Sequence, residues 1–415
     1  MSEPIYCGLA FGSVSMGVKG ELRPCCGMVA SSFHRKSVLA VKSNEHISLQ
    51  INQEPLRNVR KDLMNGRWHP ACRICQDNEK LNPESSMRAI WNNSIPDAPM
   101  SEYINPDNVK FLDLAVGNKC NSKCMTCNPG SSDFWIEEYN AINNTVPIHE
   151  IYSNLTNEFN AEIIETFKNV EFINLIGGEP LINEDHINFL KLLVDKKLSD
   201  KINLGYVTNL TGLTDELIEV WDNFKSVNAT VSIDGFEKVN DYIRYPIKFE
   251  KVQEKLQQYL NLIRVDKFSI TLSSTVSIFN INEISELLDF FAVIVVEYKD
   301  KNKFDAGRAT VYLNRVFFPE HFNLNLLPTS YRQHGVEKIK TIREKLLTLD
   351  IHPSFLSACD LAESWGTEKQ VFNKRLVNSA IDFISKSDTF RERHIKDYLP
   401  DLWDELLSMQ RGFNE

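Results

Sequence analysis

No stretch of the sequence stays apolar for the roughly 18 residues that a helix needs to cross a bilayer, so no helical membrane span is expected. Positive charge is also scarce. Lys and Arg number 46 against 56 Asp and Glu, and the net charge of -10 argues against an extended nucleic-acid footprint. The opening MSEPIYCGLAFGS lacks a basic stretch followed by an apolar one, so export is not expected. Internal repeats and low-complexity tracts are absent. Nine cysteines, an odd and clustered set, fit a disulfide framework poorly. In a reducing compartment such clusters read as metal sites, and the cytoplasm is the expected location.

What is present is an ordinary globular composition, 42% hydrophobic and 25% charged, in a chain of 415 residues, long enough for two or three domains. From about residue 109 to 314, strand-like stretches (VKFLDLAV, VEFINLI, NLGYVTN, VNATVSID, KFSITLSSTVS, ATVYLN) alternate with segments whose apolar residues recur at three- and four-residue steps. Asn183, two residues before Asp185, is placed to start one of those helices. The alternation implies an α/β fold with a parallel sheet. Six units in that span fall short of the ~250 residues of an eight-unit barrel, so a partial, open (β/α)6 barrel is expected. Three domains follow: a cysteine-rich, turn-rich segment 1–104 with one helix near Glu54 to Met64, a barrel 105–320, and a helical extension 321–415.

Directly after the first barrel strand comes NKCNSKCMTCN, with Cys120, Cys124 and Cys127 spaced C-x3-C-x2-C. Parallel βα folds place their active sites on such loops. Thiolates are soft ligands for zinc, copper(I) or iron–sulfur clusters. Three of them can hold three corners of a [4Fe–4S] cube and leave one iron open. A zinc site completed by a distant His or Cys, or plain loop cysteines, are the alternatives.

The spacing resembles the signature of radical S-adenosylmethionine (SAM) enzymes. That resemblance implies a partial (β/α)6 barrel, a [4Fe–4S] cluster on the three cysteines, and SAM chelated to the open iron. It also implies reductive cleavage of SAM to a 5′-deoxyadenosyl radical that abstracts hydrogen from a substrate. Three later stretches are similar to the family's SAM-binding segments. Gly177, Gly178 and Glu179 end the second strand, where the resemblance assigns them to the methionyl amino group; a tight turn is the plain alternative. Thr208 and Asn209 end the third, as binding groups or as a turn cap. In TVSIDG, Thr230, Ser232 and Asp234 share one strand face. The resemblance assigns Ser232 and Asp234 to the SAM carboxylate and ribose, with a helix N-cap as the alternative for Asp234. Thr126 stands where the family often carries an aromatic residue against the adenine. Arg244 and Asn280 lie after the fourth and fifth strands, with a salt bridge and a helix cap as their plain readings.

The first hundred residues carry Cys7, Gly20, Cys25, Cys26 and then CRIC, with Cys72 and Cys75. This arrangement resembles the twitch domain, a half-size relative of the SPASM domain, in which a β-hairpin and a loop–helix segment hold an auxiliary iron–sulfur cluster. Cys7, Cys25, Cys72 and Cys75 would complete its ligation, with Cys26 as a substitute for Cys25; a four-cysteine zinc site fits the same spacing. His69 could tune the site by a hydrogen bond or simply pack. Cys359 reads as a small buried hydrophobe. The expected function is a radical SAM enzyme acting on a peptide or a small molecule, with a reducing partner such as flavodoxin or ferredoxin. A non-catalytic iron–sulfur or zinc scaffold is the alternative.

Overall fold

Val227, Ala229 and Val231 alternate with Asn228, Thr230 and Ser232, and a strand sends alternate side chains to opposite faces. The first three are fully buried and the second three half-buried. This strand is one of eight in the computed structural model, which describes residues 3–28, 45–81, 84, 86–143, 146–264 and 266–412. In chain order the strands are β1 (Ser13–Met16), β2 (Leu22–Arg23), β3 (Phe111–Ala115), β4 (Phe172–Ile176), β5 (Asn203–Thr208), β6 (Ser226–Ser232), β7 (Phe268–Val276) and β8 (Ala309–Arg315). From β3 onward strands alternate with helices, and the architecture is the α/β arrangement expected from the periodicity.

The chain forms two compact units. One comprises residues 1–119, 151–206 and 214–226; the other comprises 120–150, 207–213 and 227–415. In the first unit β1, β3, β4 and β5 pair in parallel in that order, and β2 closes an antiparallel hairpin on the outer edge of β1. Leu112, Ile173, Phe189 and Leu193 surround one apolar core between this sheet and its helices. Burying each such side chain contributes about 1.5–3 kcal/mol. In the second unit β6, β7 and β8 are parallel, with Val227 opposite Phe268 and Ile270 opposite Ala309.

Helices begin where a side chain satisfies the first free amides, which is worth about 1 kcal/mol at each cap. Asn183 Oδ1 accepts from Asp185 N at 2.9 Å and starts the Glu184–Asp195 helix, as the sequence predicts. Thr214 and Asn373 cap Asp215–Trp221 and Lys374–Phe390 in the same way. The C-terminal region is helical, with Thr329–Leu346, Ser354–Thr367, Lys374–Phe390 and Pro400–Gly412.

The first hundred residues hold more structure than their turn-rich composition suggests. The Glu54–Met64 helix is joined by Arg73–Leu81, Met87–Ser94 and the β1–β2 hairpin, which lies between Cys7 and Cys25. β1 spans only four residues, all buried, so it shows no alternation; its pairing with β3 creates it. The Ser354–Thr367 helix also escapes the periodicity. Its buried stripe includes Ala358, Cys359, Ala362 and Gly366, small residues that give little hydrophobic contrast.

Candidate metal centres

Backbone groups removed from water need partners, and the loop after β3 finds them one after another. Cys120 N donates to Asp133 Oδ1 (2.8 Å), and Ser122 O accepts from Ser132 Oγ (2.6 Å). Lys123 N and Met125 N donate to Tyr245 O and Ile243 O, both at 2.8 Å. Trp135 Nε1 donates to Cys124 O (2.9 Å), and Arg391 Nη2 to Lys123 O (2.8 Å). A loop held at so many points presents its thiols in one arrangement. Cys120 Sγ and Cys124 Sγ each lie 3.5 Å from Ser122 Oγ. Burial, and next the neighbouring Cys124, push the Cys127 thiol up to about 12.

Arg244 sits against this loop. Its Nη1 lies 3.8 Å from Cys124 Sγ, and its Nη2 lies 2.8 Å from Asp234 Oδ2. Burial opposes the guanidinium charge, but Asp234 and the three cysteines outweigh it and shift its pKa upward. Arg244 Nε is buried with no hydrogen-bond partner. Asp234 is not a helix cap: its Oδ1 accepts from Thr275 N (2.7 Å), and Asn280 Nδ2 donates to its carbonyl (2.8 Å). Asn280 therefore braces Asp234. Asn209 links to the cysteine loop, donating from Nδ2 to Asn121 Oδ1 at 2.8 Å. Thr208 Oγ1 accepts from Leu210 N (2.8 Å) and so also serves the turn. Ser232 ends β6 half-buried.

In the first unit, Gly177 (φ +88°) and Gly178 (φ +54°) take conformations that side chains disfavour. Closeness adds a second reason for glycine: a Cβ on Gly178 would stand 2.1 Å from Lys119 O. Glu179 N donates to that same carbonyl at 2.9 Å. Lys119 immediately precedes Cys120, so the GGE turn is fastened to the residue that starts the cysteine loop. The Glu179 carboxylate is buried and accepts from Leu181 N (3.1 Å).

Also in the first unit, Cys7, Cys25, Cys72 and Cys75 line one pocket with Leu9, Trp68 and Arg88. Burial, with neighbouring thiols adding, pushes Cys7 up to about 11 and Cys25 up to about 12; Cys72 rises for the same reasons. Loading a metal there releases protons, because thiolate is the ligand form. Cys26 is not among the residues that line the pocket, but its Sγ lies 3.2 Å from the Sδ of Met87, which is. The four thiols stand around one pocket; among the described residues no three His, Cys, Asp or Glu side chains, here or in the Cys120 loop, are grouped to hold a metal ion. His69 Nδ1 caps the turn at Ala71 N, ahead of Cys72 (3.1 Å).

Five further residues belong to these sites. Arg88, which with Ser86 makes a Ser-x-Arg pattern after the CRIC pair, donates to both Glu79 oxygens (2.8 and 2.6 Å) and to Tyr6 O beside the pocket. Ser86 Oγ donates to the same Glu79 (2.5 Å). Glu138 and Arg391, 253 residues apart, form a buried pair behind the Cys120 loop. No local pattern marks Glu79, Glu138 or Arg391.

Residues 114–291 match the family model described as the radical SAM superfamily. GTP 3′,8-cyclase of Aliarcobacter butzleri (strain RM4018) is 29% identical over 154 residues, 36% of this chain and 42% of that protein. The GTP 3′,8-cyclase of Sulfurovum sp. (strain NBC37-1) is 28% identical over 101 residues, 24% and 27% of the two chains. The chain thus spans less than half the length of these curated relatives. Among solved structures, native anSMEcpe with bound AdoMet and Kp18Cys peptide aligns at TM-score 0.39 and 16% identity, covering 58% of this chain and 62% of that one. Streptococcus suis SuiB bound to precursor peptide SuiA aligns at TM-score 0.34 and 12% identity over 92% and 68%. Structural similarity at this level assigns no activity. Among the described residues no helix is long and apolar enough to cross a membrane.

Proposed function

From the match of residues 114–291 to the radical SAM superfamily model, we propose that the chain is a radical SAM enzyme in which Cys120, Cys124 and Cys127 hold a [4Fe–4S] cluster whose remaining iron is left for SAM. The observation that carries this reading is the fixed cysteine loop with a charged arginine against it, one of whose buried donors lacks an acceptor. Three thiols and a cation suit a negatively charged iron–sulfur group. Bound there, a reduced cluster and SAM supply a 5′-deoxyadenosyl radical by reductive cleavage of SAM.

The chain's own residues then bind and orient. Gly177 and Gly178 let the backbone approach a ligand, and the Glu179 carboxylate suits the methionyl ammonium. Arg244 Nε suits a carboxylate or a cluster sulfur. Ser232 is available for the SAM carboxylate or ribose. Asp234 is engaged by Arg244 and Thr275, which favours a positioning part for it. Thr208 and Asn209 shape the rim, and Thr126 offers a hydroxyl where the family often offers a ring. The reading includes hydrogen abstraction from a peptide or small molecule and a flavodoxin- or ferredoxin-type electron donor.

For the amino-terminal thiols we propose a second, fully ligated iron–sulfur cluster on Cys7, Cys25, Cys72 and Cys75, in a twitch-like segment. Four sulfurs on one zinc would stand within about 3.8 Å of each other, from a Zn–S bond of about 2.3 Å. Four thiols around one pocket suit an iron–sulfur cluster as the larger group, and a metal analysis of protein made under strict anaerobiosis separates it from a four-cysteine zinc site. Electron paramagnetic resonance of the reduced protein tests both assignments. SAM is expected to shift one of two cluster signals and leave the other unchanged. Cys25→Ser is expected to remove the unchanged signal, and Cys26→Ser to retain it. A SAM-insensitive spectrum, or a single signal, contradicts the reading.

A further inference from the structure

Glu138 is completely buried, in the short Ile136–Ile142 helix that follows the cysteine loop. Its carboxylate accepts Arg391 Nε on both oxygens (2.9 Å each), Lys123 Nζ (3.1 Å) and Ser387 Oγ (2.5 Å). Lys123 lies between Cys120 and Cys124 in the sequence. Arg391 completes the circuit, since its Nη2 donates to Lys123 O at 2.8 Å and its Nη1 reaches Met125 Sδ at 3.4 Å. Its guanidinium lies 4.8 Å from the Trp135 ring and 5.0 Å from that of Tyr245, the residue after Arg244.

Arg391 follows the Lys374–Phe390 helix, far along the chain. Glu392 has φ +52°, an uncommon conformation that lets the chain turn sharply there. Arg393, next, packs 4.1 Å from the Tyr242 ring and pairs with Asp388 (3.4 Å). Asp388 in turn accepts from Tyr242 O–H (3.0 Å) and Ile395 N (2.6 Å). A buried ion pair adds little net stability, because desolvation offsets attraction. What this one supplies is geometry: two cations and one carboxylate fit together in a single way, and two of the three groups are tied to the backbone between Cys120 and Met125.

We propose that Glu138 and Arg391 are positioning residues for the barrel cluster, a clamp through which the C-terminal helical region sets the angle of the cysteine loop. The proposal rests on the Cys120, Cys124 and Cys127 assignment above. Glu138→Gln keeps the shape but removes the charge; Arg391→Met keeps the bulk but removes the fork. Each is expected to shift the g-values of the SAM-responsive cluster and to raise the KM for SAM by on the order of tenfold, as loss of an outer-shell partner does. The signal of the amino-terminal cluster is expected to stay unchanged and reports that the chain has folded. If Arg391→Met loses that signal too, Glu138→Gln alone decides. Wild-type g-values and KM in Glu138→Gln overturn the clamp. If Cys124→Ala keeps the full wild-type iron content, the ligand assignment has failed, and the clamp with it.

Discussion

Cys124→Ala is expected to abolish formation of 5′-deoxyadenosine while iron at the amino-terminal cysteines persists. Cys124 is the central thiol of the loop and the one that Arg244 approaches, at 3.8 Å. Its loss leaves two ligands where three are needed to hold a cube with one open corner, and it leaves Arg244 facing no thiolate. Two [4Fe–4S] clusters amount to about eight iron atoms per chain, so anaerobically reconstituted Cys124→Ala should retain about four. Product chromatography and an iron assay on the same sample read both quantities. Persistent product, or loss of all iron, contradicts the separation of the two centres.

Gly178→Ala is expected to cost nearly as much while leaving every thiol in place. At φ +54° an alanine is strained, and its Cβ would meet Lys119 O at 2.1 Å, so the backbone has to move. The residue that moves is bonded to Cys120. A displacement near 1 Å at a reacting centre can cost roughly a hundredfold in rate. We expect 5′-deoxyadenosine formation about a hundredfold slower than wild type, with the amino-terminal cluster signal intact. Wild-type rates would show that the GGE turn and the cysteine loop are independent.

The groups legible in the sequence are those whose meaning is local. Cys120, Cys124 and Cys127 announce themselves by spacing, the strands from β3 to β8 by their apolar runs, and Asn183 by its place before an amphipathic stretch. Cys25 and Cys26 could not be ranked, because adjacent residues differ only in where the folded chain points them; Cys25 lines the pocket, while Cys26 meets Met87, another of its walls. Arg244 stayed open between a family arginine and a surface salt bridge, because its partner, Asp234, gains meaning only beside Cys124. Thr208 and Asn209 cap the turn, which is the plainer of their two readings, and Asn209 also reaches Asn121. The Glu138–Arg391 pair lies beyond any local reading: folding alone brings an isolated glutamate and a distant arginine together.

Reductive cleavage of SAM at the Cys120 loop underlies every one of these expectations. Its most direct test is the amount of 5′-deoxyadenosine formed when the reconstituted wild-type protein is incubated anaerobically with SAM and dithionite. 5′-Deoxyadenosine is expected, and only when both SAM and reductant are present. Absence of the nucleoside, from protein whose clusters are spectroscopically intact and reduced, would contradict it.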